Sequence, residues 1–161
     1  MQSTPLFTLL VALALAPTLC AQSATQVWVT RYNGYNGPAN NSDIAYDVAV
    51  DNAGNVAVTG KSQNLNGNFD CYTAKYAATT GALLWEKRYN GPADRDDIGY
   101  RVAVDSAGNV FITGASFNAS GTADYYTGKY AVADGTLLWE RRYGGRWRDT
   151  LGKAVQWSGQ W

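Results

Sequence analysis

The chain has 161 residues, a length that suits one domain, and its 13 basic and 13 acidic side chains cancel, leaving no net field to draw nucleic acid or an anionic membrane. It contains no histidine, which excludes the commonest general base, the commonest metal ligand and every Ser-His or Cys-His relay. Abundant glycine and frequent Tyr and Trp are the profile of a turn-rich β protein with half-buried sheet faces.

The first element is an apolar run, Leu6 to Ala16, too short to span a bilayer and right for the centre of a signal peptide. Pro17 ends it and small residues follow, so residues 1–21 are expected to be a signal peptide cleaved near Ala21 to Ala24. The start, MQSTP, carries no Lys or Arg, which departs from the usual charged opening. Cys20 follows Leu19, where a lipid-attachment signal wants a small residue. The mature chain then keeps only Cys71, which cannot form an internal disulfide. Export to the periplasm, the cell surface or the exterior is the expectation, with no integral span after cleavage.

Residues 26–161 are organised by a repeat. Residues 48–60, VAVDNAGNVAVTG, return as VAVDSAGNVFITG at 102–114. Asp51 and Asp105, Gly54 and Gly108, Gly81 and Gly135, Trp85 and Trp139 are each 54 positions apart. The units run over about 44–90 and 98–144, preceded by a leading strand at 26–32 that matches the fourth strand of a unit.

Four extended segments can be read in the second unit: 98–105, 109–116, 124–131 and 137–143. DSAGN joins the first two as a tight hairpin, in which Asp105 starts the turn and Gly108 takes the left-handed conformation. Val102, Val104, Val110 and Ile112 share one face and Ala103 and Phe111 the other, so both faces are apolar, as in a sheet sandwiched between two others. In the third segment Tyr126, Gly128 and Tyr130 lie opposite Tyr125, Thr127 and Lys129. The fourth is amphipathic and charged, which suits an outer edge. Four antiparallel strands in a unit of this length describe a propeller blade. The expected fold is therefore all-β: a partial β-propeller with two complete four-stranded blades, one leading strand and a truncated third unit at 150–161. In that third unit AVQWSGQW stands where AVDSAGNV is expected, and a truncated or shifted reading frame is the expectation it raises.

AVDSAGNVFITG, followed by DYYTGKY and LLWERRYGG, resembles the SBBP-type β-propeller repeat of secreted bacterial proteins. The resemblance covers essentially everything after residue 25 and implies a ring of about seven or eight blades, with loops at one end available for binding. TGALLW at 80–85 also resembles the tryptophan-docking segment of quinoprotein propellers, in which a Gly and a Trp staple neighbouring blades. That likeness implies structural roles for Gly81, Trp85, Gly135 and Trp139, and an alternative reading of the chain as a fragment of a quinoprotein-like dehydrogenase.

Catalytic candidates are scarce. Asp51 and Asp105 open hairpins, and DNAGN and DSAGN lack the terminal bidentate Glu of a calcium loop. Asp94, Asp96 and Asp97, in PADRDD, are the one metal candidate, a carboxylate cluster for calcium, set against a solvated acidic loop containing Arg95. Glu86 and Glu140 occupy equivalent repeat positions and form no non-repeated acid pair for glycoside hydrolysis. RRYGGRWRD at 141–149 interleaves basic and aromatic residues, but an edge strand running into a loop explains it better than nucleic acid. Asn40-Asn-Ser42 and Asn118-Ala-Ser120 have the form of glycosylation sequons. No cofactor is expected. The reading is an exported, non-catalytic repeat scaffold of the cell envelope or exterior that binds a protein or a glycan, with self-association through open blade faces, or else an inactive remnant.

Overall fold

The computed structural model describes residues 25–34 and 42–144. Runs of β-branched and aromatic residues separated by glycine-bearing turns form eight strands, and no helix occurs among the described residues. The strands are β1 Asp43–Val50, β2 Val56–Gln63, β3 Phe69–Tyr76, β4 Leu83–Tyr89, β5 Asp97–Val104, β6 Val110–Phe117, β7 Ala123–Tyr130 and β8 Leu137–Tyr143. Those of the second unit fall within one residue of the segments read from the sequence. They make two antiparallel meanders, β1-β2-β3-β4 and β5-β6-β7-β8, which are two propeller blades packed face to face without closing a ring.

The expected alternation holds in β6, where Val110 and Ile112 are buried, and in β7, where Tyr126, Gly128 and Tyr130 are buried and Tyr125 is exposed. One register feature is not visible in a period-two pattern. β1 bulges between Ala45 and Asp47, and β5 at the matching place between Gly99 and Arg101. The extra residue moves the start of each strand to the other face. Asp43 and Ala45 therefore share a face with Val48 and Val50.

Each blade has two unlike faces. Ala57, Cys71 and Trp85 on the outer face of the first blade meet Val102, Val110, Ile112 and Tyr130 on the receiving face of the second, forming the principal core. Burying each large side chain here contributes about 1.5–3 kcal/mol. On the receiving face of the first blade, Tyr72, Ala74 and Tyr76 meet Trp28 and Tyr32 of the leading segment. That segment corrects the expected strand at 26–32: residues 25–34 form no strand. No described strand lies beside it to complete a ladder, so side chains hold it in place. The expected signal peptide at 1–21, the tail at 150–161 and RWRD at 146–149 lie outside the described residues.

Candidate functional site

The repeated residues converge on the joint between blades. Gly81 and Gly135 follow the turns after β3 and β7 and sit at φ 66° and 69°, in the left-handed region that glycine enters without a steric penalty. Their missing side chains leave room for an indole from the neighbouring element. A Cβ on Gly135 would stand 2.7 Å from Trp85 Cε3, and one on Gly81 would stand 2.6 Å from Trp28 Cε3. Each indole N–H then donates to a turn carbonyl: Trp85 to Val132 at 3.1 Å and Trp28 to Ala78 at 2.9 Å. A tyrosine follows each tryptophan by four residues and stacks on the next blade. Tyr89 lies on Tyr126 and Tyr32 on Tyr72, with ring centroids 4.0 Å apart in both pairs. An indole thus lies on a left-handed glycine twice, once between the two blades and once between the leading segment and the first blade. Trp139, the third copy of the tryptophan, packs edge-on against Phe111 in its own blade and is 39% exposed.

The charged repeat residues also pair inside this framework. Asp51 Oδ1 accepts the N–H groups of Ala53 and Asn55 at 2.9 and 2.8 Å, and Asp105 does the same with Ala107 and Asn109. Gly54 and Gly108 carry positive φ in the two hairpins. The second oxygen of each aspartate takes an ion pair that the turn reading did not include: Lys75 at 2.8 Å on Asp51 and Lys129 at 3.0 Å on Asp105. The signal was there, because Lys75 and Lys129 are also 54 residues apart. Burial opposes ionisation of Asp51, but hydrogen bonds from Lys75 and Asn55 outweigh it and lower its pKa to about 2. The bonds from Asn109 and Lys129 lower Asp105 to about 2. Lys75 is buried and also donates to the Gly108 carbonyl at 2.9 Å, tying the first blade to the hairpin of the second.

A second repeated pair joins β3 to β4 and β7 to β8: Arg88 with Asp70 at 3.0 Å, and Arg142 with Asp124 at 3.3 Å. Arg88 also donates to the hydroxyls of Tyr32 and Ser62, and Ser62 to Asp43. Asp43 in turn accepts the Gly34 N–H at 2.8 Å. Asp97 occupies the same place in the second blade, almost fully buried, accepting the Gly91 N–H at 2.6 Å, and burial pushes its carboxyl up.

The three-carboxylate candidate is therefore dispersed. Asp97 belongs to the joint. Asp96 caps the start of β3 by accepting the Phe69 N–H at 3.0 Å. Asp94, at φ 47°, accepts side-chain amides from Asn66 and Asn90, and its carbonyl accepts one from Asn68. No group of three or more His, Cys, Asp and Glu among the described residues is arranged to hold a metal ion. Cys71 is buried against the second blade, and burial pushes its thiol up to about 12.

The two ends of the blades differ. At one end sit the near-identical hairpins at 51–55 and 105–109, linked by Asn52 donating to the Ser106 carbonyl, together with the turns beneath the tryptophans. At the other end the β2–β3 loop at 64–68 and the β4–β5 connection at 90–96 are bound together through Asp94 and Asp96. The loop sequences diverge between units, NLNGN at 64–68 against NASGT at 118–122; PADRDD at 92–97 likewise differs in sequence from PANNSD at 38–43, most of which lies outside the described residues. Leu65 at the tip of the first loop is 74% exposed. A cleft of about 330 Å³ lies between the leading segment and the first blade, lined by Trp28, Tyr32, Tyr72 and Tyr76 with Ala45 and Val58.

No curated protein matches the chain. The family model described as SBBP, beta-propeller repeat, matches residues 87–116, from β4 through the joint loop to β6. Residues 87–116 are thus similar to the SBBP β-propeller repeat.

Proposed function

We propose that the protein is an exported, non-catalytic scaffold of propeller blades, and that the divergent loop end binds a protein or a glycan. One observation carries this reading. The repeated ionisable residues (Asp51 with Lys75, Asp105 with Lys129, Asp70 with Arg88, Asp124 with Arg142) are engaged in ion pairs that brace each blade from within, once per unit. A group that recurs in every blade serves the architecture, whereas recognition belongs where the units differ. The loop end presents amides, carboxylates and an exposed leucine, a mixed surface suited to hydroxyl-rich or peptide ligands.

Two experiments test the reading. Residues 1–24 fused to a reporter active only outside the cytoplasm are expected to export it, and retention inside contradicts export. On immobilised bacterial envelope polysaccharides and a peptide array, the protein is expected to bind a subset. Leu65→Ala with Arg95→Ala should lower that binding at least tenfold, and Asn52→Ala at the hairpin end should leave it unchanged. Equal losses from both ends, or no binding, count against a binding loop end.

A further inference from the structure

The outer face of the second blade repeats the Thr, Lys, Trp and Tyr positions of the outer face of the first. Where the first blade packs Ala57, Thr59, Trp85 and the half-buried Tyr89 against its neighbour, the second presents Phe111, Thr113, Trp139 and Tyr143. Trp139 is 39% and Tyr143 70% exposed, against 6% for Trp85. The complement of such a face is visible in the joint itself: a left-handed glycine under the indole, a turn carbonyl for its N–H, a tyrosine to stack upon, and a hairpin carbonyl for a lysine. Among the described residues one further surface has all four, the receiving face of the first blade, with Gly81, Ala78, Tyr72 and Gly54. There, residues 25–34 occupy the indole and tyrosine positions. They leave the cleft beside Ala45 and Val58, and Val48 and Val50 are 59% and 62% exposed.

We propose that segment 25–34 is a built-in plug, and that the second blade of one copy docks on the first blade of another by displacing it. The exchange is like for like at each point. Trp139 takes the place of Trp28 over Gly81 and donates to the Ala78 carbonyl. Tyr143 takes the place of Tyr32 on Tyr72. Lys129 reaches the Gly54 carbonyl as Lys75 reaches that of Gly108. β8 has the advantage because it is already laddered to β7 from Tyr125↔Tyr143 to Tyr130↔Leu137, whereas the plug forms no strand. Docking also covers apolar surface that the plug leaves open. At least three positions depart from the internal joint, the first being Phe111, which is larger than the Ala57 it replaces. Tyr125 replaces Cys71 and fills the cleft that the smaller side chain would leave. Arg101 replaces Asp47, which in the internal joint accepts the Val102 N–H at 2.9 Å, so that one bond is lost. The contact is head-to-tail, and three or four copies would supply the six or eight blades of a closed ring.

Sedimentation velocity on the full chain over a range of concentrations tests this, with circular dichroism to confirm folding. The wild type is expected to associate reversibly. Trp139→Glu, at a site partly exposed in the monomer, should weaken association at least tenfold. Trp28→Ala with Tyr32→Ala, which loosens only the plugged state, should tighten it about tenfold. A wild type and plug variant that both stay monomeric overturn the proposal. So does association that Trp139→Glu leaves unchanged, or that the plug variant weakens. The inference rests on the blade architecture and not on the ligand of the loop end: Leu65→Ala should leave association intact, so failure of either reading is visible separately.

Discussion

Asp51 and Asp105 do the same work in different surroundings, which makes them a matched pair for measurement. Asp51 and Lys75 are almost fully buried, with side-chain exposures of 5% and 1%, while Asp105 and Lys129 are at 28% and 22%. Removing one partner of a buried pair strands a charge and costs about 3 kcal/mol, whereas a solvated pair is worth about 1 kcal/mol or less. Lys75→Met is therefore expected to lower unfolding stability by about 3 kcal/mol and Lys129→Met by about 0.5 kcal/mol in urea titrations. Both aspartates have folded pKa values of about 2, below the ordinary 3.8. Their contribution is therefore complete above about pH 4 and is lost as pH falls toward 2. The acid limb of the melting curve should lie in that window, and Lys75→Met should flatten it. Gly121, in the β6–β7 loop, and Gly135, at the joint, separate backbone strain from packing. Gly121 has φ 79° with nothing within 4 Å of the point where a methyl would stand, so Gly121→Ala should cost about 1 kcal/mol. Gly135→Ala adds a collision with Trp85 and should cost about 3 kcal/mol.

At the scale of strands, the sequence shows most of the meander and misses two things for identifiable reasons. The tight DNAGN and DSAGN hairpins, the β-branched runs and the fixed spacing leave one arrangement for β5 to β8. The bulges at Ala45/Asp47 and Gly99/Arg101 are hidden because an inserted residue breaks the two-residue period without any marker in the run itself. The leading segment reads as a strand because it copies the composition of β4 and β8. Strand character, however, requires a neighbouring ladder, and no described strand supplies one. The three aspartates at 94–97 show the same limit: adjacency along the chain says nothing of which carboxylate turns inward, and Asp97 is the buried one. Burial within the sandwich also predicts reactivity. Cys71, on the first blade's outer face with its thiol pushed to about 12, should resist a thiol reagent at pH 8 and react at once in denaturant. Rapid labelling of the native protein would show that the blades part.

For the molecule as a whole, everything turns on one contact, the indole of one blade lying on a glycine of the next. From that joint follow the buried lysine bridge, the stacked tyrosines, the equivalence of the open outer face with the closed one, and the assignment of recognition to the loop end. A ring current tests it directly. With Trp85 packed on Gly135, the Gly135 α-protons lie against the indole face. In the nuclear magnetic resonance spectrum of the folded protein they should be shifted well upfield and show cross-relaxation to the Trp85 ring protons. Gly135 α-protons at ordinary positions, with no such cross-peaks in a protein whose β-strand signals are intact, would show that the blades are not stapled in this way.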